Sequence, residues 1–269
     1  MVSAAPVSQQ NGNNLHRLVS IMRTLRAPDG CPWDRAQTLE TLRPFVVEEA
    51  HEVVDAIDQG SPSALREELG DLLLQIVFQS EIANDESWFG IDDVIDTISE
   101  KMTRRHPWVF GDEKVGSEGA GIARWEELKA EERREKGDKK GTLDGVPLAL
   151  PALLRAVRVG EKAASVGYDW PDASGAWDKV HEELTEVGEA AQSGDDARVQ
   201  EELGDLLFAI ASFARKRDLD PEAALRGSLS RFSDRFSHAE RAAEDEGRPL
   251  RERTPEELDQ LWQAAKAST

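Results

Sequence analysis

Eight acidic residues fall into two sets of four with one spacing. Glu49 and Glu52 are followed, after fifteen intervening residues, by Glu68 and Asp71; Glu183 and Glu186 are followed, after the same interval, by Glu202 and Asp205. Residues three apart on a helix share a face, so each pair can project together. An isolated Glu-x-x-Glu is ordinarily a solvated helix surface. These acids instead continue an apolar stripe: Leu42, Phe45, Glu49, Glu52 and Ala56 follow heptad spacing, as do Leu65, Glu68, Leu72 and Gln75. Four carboxylates gathered on a partly buried face repel one another and lose hydration, which is costly unless a cation offsets the charge. A hard divalent cation with oxygen ligands answers that need, and Mg²⁺, with Mn²⁺ as a substitute, fits an all-carboxylate set.

A di-iron carboxylate centre is the competing metal reading, and it takes Glu-x-x-His from two helices. Glu48-x-x-His51 has that spacing but lies one residue off the acidic stripe, and Asp178-x-x-His181 follows another register. Both histidines therefore read as surface residues. Mg²⁺ held by few protein groups usually meets substrate phosphates as well. No G-x-x-x-x-G-K-S/T loop is present to cradle them. Phosphates then fall to scattered cations, and the i,i+4 pairs Lys101/Arg105 and Arg231/Arg235, with Lys129 and Lys266, are the candidates. Trp125 and Trp262 suit either stacking on a base or covering the core.

The elements that must position these residues read as helices. Apolar residues recur at spacings of three and four, without a convincing alternating strand. Thr38 and Thr41 open the helix that carries Glu49, and Ser61-Pro62 opens the helix that carries Glu68. Gln59–Pro62 and Ser193–Asp195 supply turns, so each acidic pair can face its partner across an antiparallel hairpin. Helices are expected over most of residues 15–108, then a loop from Gly111 to Gly121, a short helix near Ile122–Lys136, and further helices from Pro151 to Ala267.

An internal repeat organises the chain. The string EELGDLL at 67–73 recurs at 201–207, 134 residues on, and the same offset carries Glu49 onto Glu183 and Glu52 onto Glu186. Lys101 and Arg105 answer Arg231 and Arg235 at an offset of 130; Trp125 and Lys129 answer Trp262 and Lys266 at 137. The fold class this implies is all-α, a tandem repeat of two helical bundle domains. The expected boundaries are a flexible N-terminus over 1–14, domains at 15–134 and 151–269, and a linker at 135–150.

With 53 Asp+Glu against 33 Lys+Arg in 269 residues, the net charge is −20. That excludes grip on nucleic-acid polymers or anionic membranes through a basic face. Cys31 is the single cysteine, so no intramolecular disulfide forms, and a reducing compartment is expected. No apolar run reaches the ~20 residues of a membrane span. The first fourteen residues lack the basic start and apolar run of a secretory leader. A cytoplasmic location is the expectation.

CPWDRAQT at 31–38, VEEAHEVVDAI at 47–57, EELGDLLLQIVF at 67–78 and RRHPWVF at 104–110 resemble the MazG nucleoside triphosphate pyrophosphohydrolases. LPALLRAVRVGEKAASVGYDW at 150–170, with HEELTEVGEA and EELGDLLFAIASFAR, resembles the C-terminal domain of that family. The resemblance implies a fold related to the dimeric all-α dUTPases, a homodimer with bundles completed between subunits, and Mg²⁺-dependent hydrolysis of (d)NTPs to monophosphate and pyrophosphate with broad base tolerance. It makes Glu183, Glu186, Glu202 and Asp205 metal ligands, with Glu49, Glu52, Glu68 and Asp71 equivalent in the first copy. Lys179, Arg231, Arg235, Trp262 and Lys266 match nucleotide-contacting positions, answered by Lys101, Arg105, Trp125 and Lys129. Glu182 or Glu186 would orient or deprotonate the attacking water. Arg231 stands where the family often has Lys, and Trp108 replaces the second His of the common RRHPHVF. A base-selective dUTPase- or dCTPase-type enzyme, and a non-catalytic helical interaction module with structural cation sites, are the alternatives.

Overall fold

The computed structural model describes residues 14–135 and 141–268. The N-terminal segment expected to be flexible lies outside them except for Asn14, as do linker residues 136–140. Among the described residues there is no strand, and no helix is long and apolar enough to cross a membrane. The chain divides into two compact units, Met1–Ala130 and Glu131–Thr269.

The first unit contains α1 (Asn14–Arg26), α2 (Pro32–Ala36), α3 (Leu39–Asp58), α4 (Pro62–Asp85), α5 (Ile91–Arg105) and α6 (Pro107–Phe110); α7 (Glu118–Glu135) runs across the division. Its organising feature is the α3/α4 hairpin. Thr38 and Thr41 cap α3 reciprocally, each hydroxyl accepting from the other's backbone N–H at 3.3 and 2.9 Å. Ser61 caps α4 by accepting from Ala64 N, and Pro62 sits where its missing N–H costs nothing. Between the helices Gly60 takes φ +65°, a left-handed value that a side chain would oppose. Val19 and Met22 of α1, Leu42 of α3, Val77, Phe78 and Ile82 of α4 and Ile91 of α5 form the buried core at one end of the hairpin.

The second unit contains α8 (Ala152–Ala164), α9 (Ala173–Ser193), α10 (Asp196–Lys216), α11 (Pro221–Asp245), a 3-10 turn (Leu250–Glu252) and α12 (Pro255–Ser268). Here α9/α10 is the hairpin, with Gly194 at φ +72° and Asp195 capping α10 through the N–H groups of Ala197 and Arg198. Buried alanines, among them Ala176, Ala190, Ala209 and Ala211, let these two helices approach closely. Asp220 and Pro221 open α11 in the same manner, and α11 packs on α8, α10 and α12.

One boundary differs from the expectation. The helix expected from Ile122 starts at Glu118, inside the glycine-rich stretch. Ser117 Oγ accepts from Ala120 N, and Gly121 N donates to Ser117 O, so a capped first turn carries Gly119 and Gly121 into the helix.

Candidate metal centre

In the first unit the α3/α4 hairpin brings the acidic pairs together as their spacing predicts. Oxygens of Glu49, Glu52 and Glu68 lie within 4.8 Å of one another. Asp71 is outside that triad, but its charge acts on both Glu49 and Glu68. Burial pushes the Glu49 carboxyl above the ordinary carboxylate range, and the charges of Asp71 and Glu52 push it further. Glu68 is raised in the same way, by desolvation first and then by Glu52, Asp71 and Glu67. Gln75, one turn beyond Asp71, faces Glu49 and opposes that rise through a hydrogen bond. Gln75 is only 7% exposed, and its Oε1 is buried without a partner.

The second unit repeats the arrangement with more carboxylates and with cations among them. Glu183, Glu202 and Asp205 form one group within 4.8 Å, and Glu182, Glu183 and Glu186 form another, so Glu183 is common to both. Glu183 is 4% exposed, and its Oε2 has no hydrogen-bond partner. Its Oε1 is 2.6 Å from Lys179 Nζ, which also donates to Glu182 at 2.6 Å. Those two glutamates hold the Lys179 ammonium well above its usual range. Arg198 Nε lies 3.4 Å from Glu202 Oε1. Glu186 is raised by desolvation and by the charges of Glu183 and Glu202, with Lys179 acting the other way.

A buried carboxylate oxygen without a donor, as at Glu183, is expensive, and the other carboxylates within 4.8 Å add to the cost. The donor set is all oxygen, which suits Mg²⁺ or Mn²⁺. No histidine joins these groups, and His51 and His181 are exposed, His181 lying 5.0 Å from the Trp177 ring. The Glu-x-x-His spacing at Glu48 therefore builds no centre of the di-iron kind.

Of the candidate nucleotide-contacting residues, Lys179 lies on α9 within the hairpin, and the others sit on the helices that follow each hairpin. Lys101 and Arg105 are on α5, which packs on α4; Arg231 and Arg235 are on α11, which packs on α10. The paired tryptophans have different surroundings. Trp125 has the Lys129 ammonium 4.0 Å and the Arg105 guanidinium 5.9 Å from its ring centre, and Lys129 also reaches Glu126 at 2.7 Å. Trp262 instead lies 5.1 Å from Phe232, which stacks on Phe236. Lys266, near the end of α12, is exposed. Sequence spacing alone does not mark Gln75 or Arg198 as site residues. Comparing non-acidic positions across the 134-residue offset, where Gln75 meets Ala209 and Arg198 meets Ala64, is the signal that finds them.

Fold and site together define an all-α tandem-repeat protein with a carboxylate centre on each helical hairpin. The MazG nucleotide pyrophosphohydrolase domain matches residues 37–110 and again 176–239, spans that hold all eight carboxylates. The chain is 44% identical over 259 residues to the nucleoside triphosphate pyrophosphohydrolase/pyrophosphatase MazG of Thermotoga maritima, covering 96% of this chain and 98% of that one. It is 41% identical over 257 residues to the nucleoside triphosphate pyrophosphohydrolase of Escherichia coli K12, covering 94% and 97%. A crystal structure of a mazG-related protein from Thermotoga maritima is 32% identical, covers 43% of this chain and 98% of that one, and gives a TM-score of 0.37. The chain belongs to the MazG family.

Proposed function

We infer that this protein is a divalent-cation-dependent nucleoside triphosphate pyrophosphohydrolase that tolerates different bases and acts in nucleotide-pool housekeeping in the cytoplasm. The observation that carries the reading is the pair of carboxylate centres inside the two MazG matches, with a buried, unsatisfied oxygen beside the first, on Gln75, and within the second, on Glu183. Relatives aligned over nearly the whole chain bear the name of that activity. Glu183, Glu186, Glu202 and Asp205 would hold Mg²⁺ or Mn²⁺ in the second unit, and Glu49, Glu52, Glu68 and Asp71 in the first. The domains are taken as 15–134 and 151–269, joined by residues 135–150.

A bound divalent cation supplies charge neutralisation for the triphosphate and a water of lowered pKa. The chain's own groups do the rest. Lys179, Arg231, Arg235 and Lys266, with Lys101, Arg105 and Lys129 in the first unit, bind phosphate oxygens and offset charge on the leaving group. Trp262 and Trp125 offer ring faces to a base without reading its edges, which suits broad tolerance. Glu186, whose carboxyl is raised by burial and by its acidic neighbours, takes the proton of the attacking water, with Glu182 as the second candidate. The water oxygen bonds to the α-phosphorus, the bridging α–β P–O bond breaks, and pyrophosphate departs with that electron pair.

A homodimer fits the apolar surface. Leu69, Leu73 and Ile76 on α4 are exposed, and so are their repeat counterparts Leu203, Leu207 and Ile210 on α10. Apolar rows of this kind are ordinarily covered by a partner.

Incubating the protein with a panel of dNTPs and Mg²⁺, then separating products by chromatography, tests the reading. Monophosphate and pyrophosphate in equal amounts from several bases are expected. Turnover of one base alone supports a selective enzyme, and no turnover supports a helical interaction module.

A further inference from the structure

The two carboxylate centres differ in side chains that lie outside the repeated acidic motif. In the second unit Lys179 reaches Glu183 and Glu182 at 2.6 Å, and Arg198 reaches Glu202 at 3.4 Å. The repeat offset carries Lys179 onto Phe45 and Arg198 onto Ala64. The groups acting on Glu49 and Glu68 are acidic, apart from Gln75, whose buried Oε1 has no partner and whose counterpart is Ala209. Each centre thus keeps one buried oxygen without a partner, Gln75 Oε1 and Glu183 Oε2, but the second carries Lys179 and Arg198 as internal counter-charges where the first has a neutral amide.

We propose that the first centre takes up a divalent cation without nucleotide, with Gln75 completing the donor set, whereas the second takes its cation only together with a triphosphate. Lys179 occupies a Glu183 oxygen and sets a positive charge beside any incoming ion. A triphosphate offers that ammonium a new anionic partner and brings its own oxygens to the ion. Cation and triphosphate then assist each other's binding at the second centre by the same factor. Only this triphosphate half rests on the function inferred above; the nucleotide-free half does not.

Mn²⁺ binding to the full chain tests both halves, read by loss of the free-ion electron paramagnetic resonance signal. Without nucleotide, one class of site is expected, abolished by Glu49→Gln and kept by Glu183→Gln. Gln75→Leu should weaken it roughly tenfold, the ordinary effect of losing a supporting ligand. Ala64→Arg, a change at a half-buried position in the first turn of α4 that supplies the missing cation, should weaken it too and serves if Glu49→Gln fails to fold by circular dichroism. Lys179→Met should open a second class without nucleotide. In the wild type, an α,β-imido triphosphate should open that class, and Glu183→Gln should close it again. Two equal classes in the nucleotide-free wild type, or loss with Glu183→Gln and not Glu49→Gln, would overturn the proposal. Absence of pyrophosphate release with normal nucleotide-free Mn²⁺ binding would overturn the inferred function alone.

Discussion

Lys179 Nζ lies 2.6 Å from Glu183 Oε1, one helical turn away on α9, at the point where the first unit has Phe45 beside Glu49. The lysine neutralises the most buried acid of the second centre. Lys179→Met should lower kcat/KM for dNTPs by about a hundredfold, the scale of losing one charge-stabilising group. Lys179→Arg should restore part of it. Steady-state pyrophosphate release over a range of dNTP concentrations checks both.

Glu49, Glu68 and Glu186 all have carboxyls raised from 4.5 by burial and by neighbouring acids. A raised folded-state value means that the folded chain binds these protons more tightly than the unfolded chain. The stability they contribute is present below about 4.5 and is lost as pH rises through the folded values. In chelator, the melting temperature should therefore fall as pH goes from about 5 to about 7. Mg²⁺ should remove most of that fall, so the gap between the two curves widens with pH. Glu68→Gln should flatten the chelator curve. Calorimetry at several pH values gives all three results.

Arg215 is held by Asp169 at 3.1 Å while α8 passes directly over it. A Cβ at Gly160 would stand 2.9 Å from Arg215 Nε, closer than packed atoms come. Gly160→Ala should cost about 1–3 kcal/mol by overpacking. Asp169→Asn should cost about 1–2 kcal/mol, since its pair with Arg215 and Lys216 is only partly shielded from water. Because both changes act through Arg215, the double variant should lose less than their sum in urea denaturation. Asp169 is held down at about 2 by the same partners. Its contribution is present above 3.8 and is lost as pH falls toward that lower value.

The exposed rows Leu69/Leu73/Ile76 and Leu203/Leu207/Ile210 predict association of two chains. Sedimentation velocity should show a dimer. Leu73→Glu or Leu207→Glu should shift it toward monomer, because a carboxylate buried in an apolar contact lacks a partner.

The helical class, the hairpins and the meeting of the acids were legible because they depend on local spacing. Glu49 and Glu183 stand at heptad positions of an apolar stripe, and the turns carry Gly60 and Gly194 where a left-handed residue is needed. Other features depend on contacts distant in sequence or on a choice among rotamers. Nothing in the spacing distinguishes Trp125, set among cations, from Trp262, set against Phe232. Lys179 stands three and four residues before Glu182 and Glu183 on α9, so spacing allows both pairs, and which ones form is a choice among rotamers. Gln75 reads as one more position on a stripe until its orphaned oxygen is seen beside Glu49.

We infer that the carboxylates of the second unit, where Lys179 and Arg198 stand among the acids, carry divalent-cation-dependent pyrophosphate release from nucleoside triphosphates. Glu186→Ala and its repeat counterpart Glu52→Ala, assayed side by side with wild type for pyrophosphate from dNTPs, test it most directly. Release should fall to background in Glu186→Ala and persist in Glu52→Ala. Undiminished release from Glu186→Ala, whether or not Glu52→Ala loses it, would contradict that assignment.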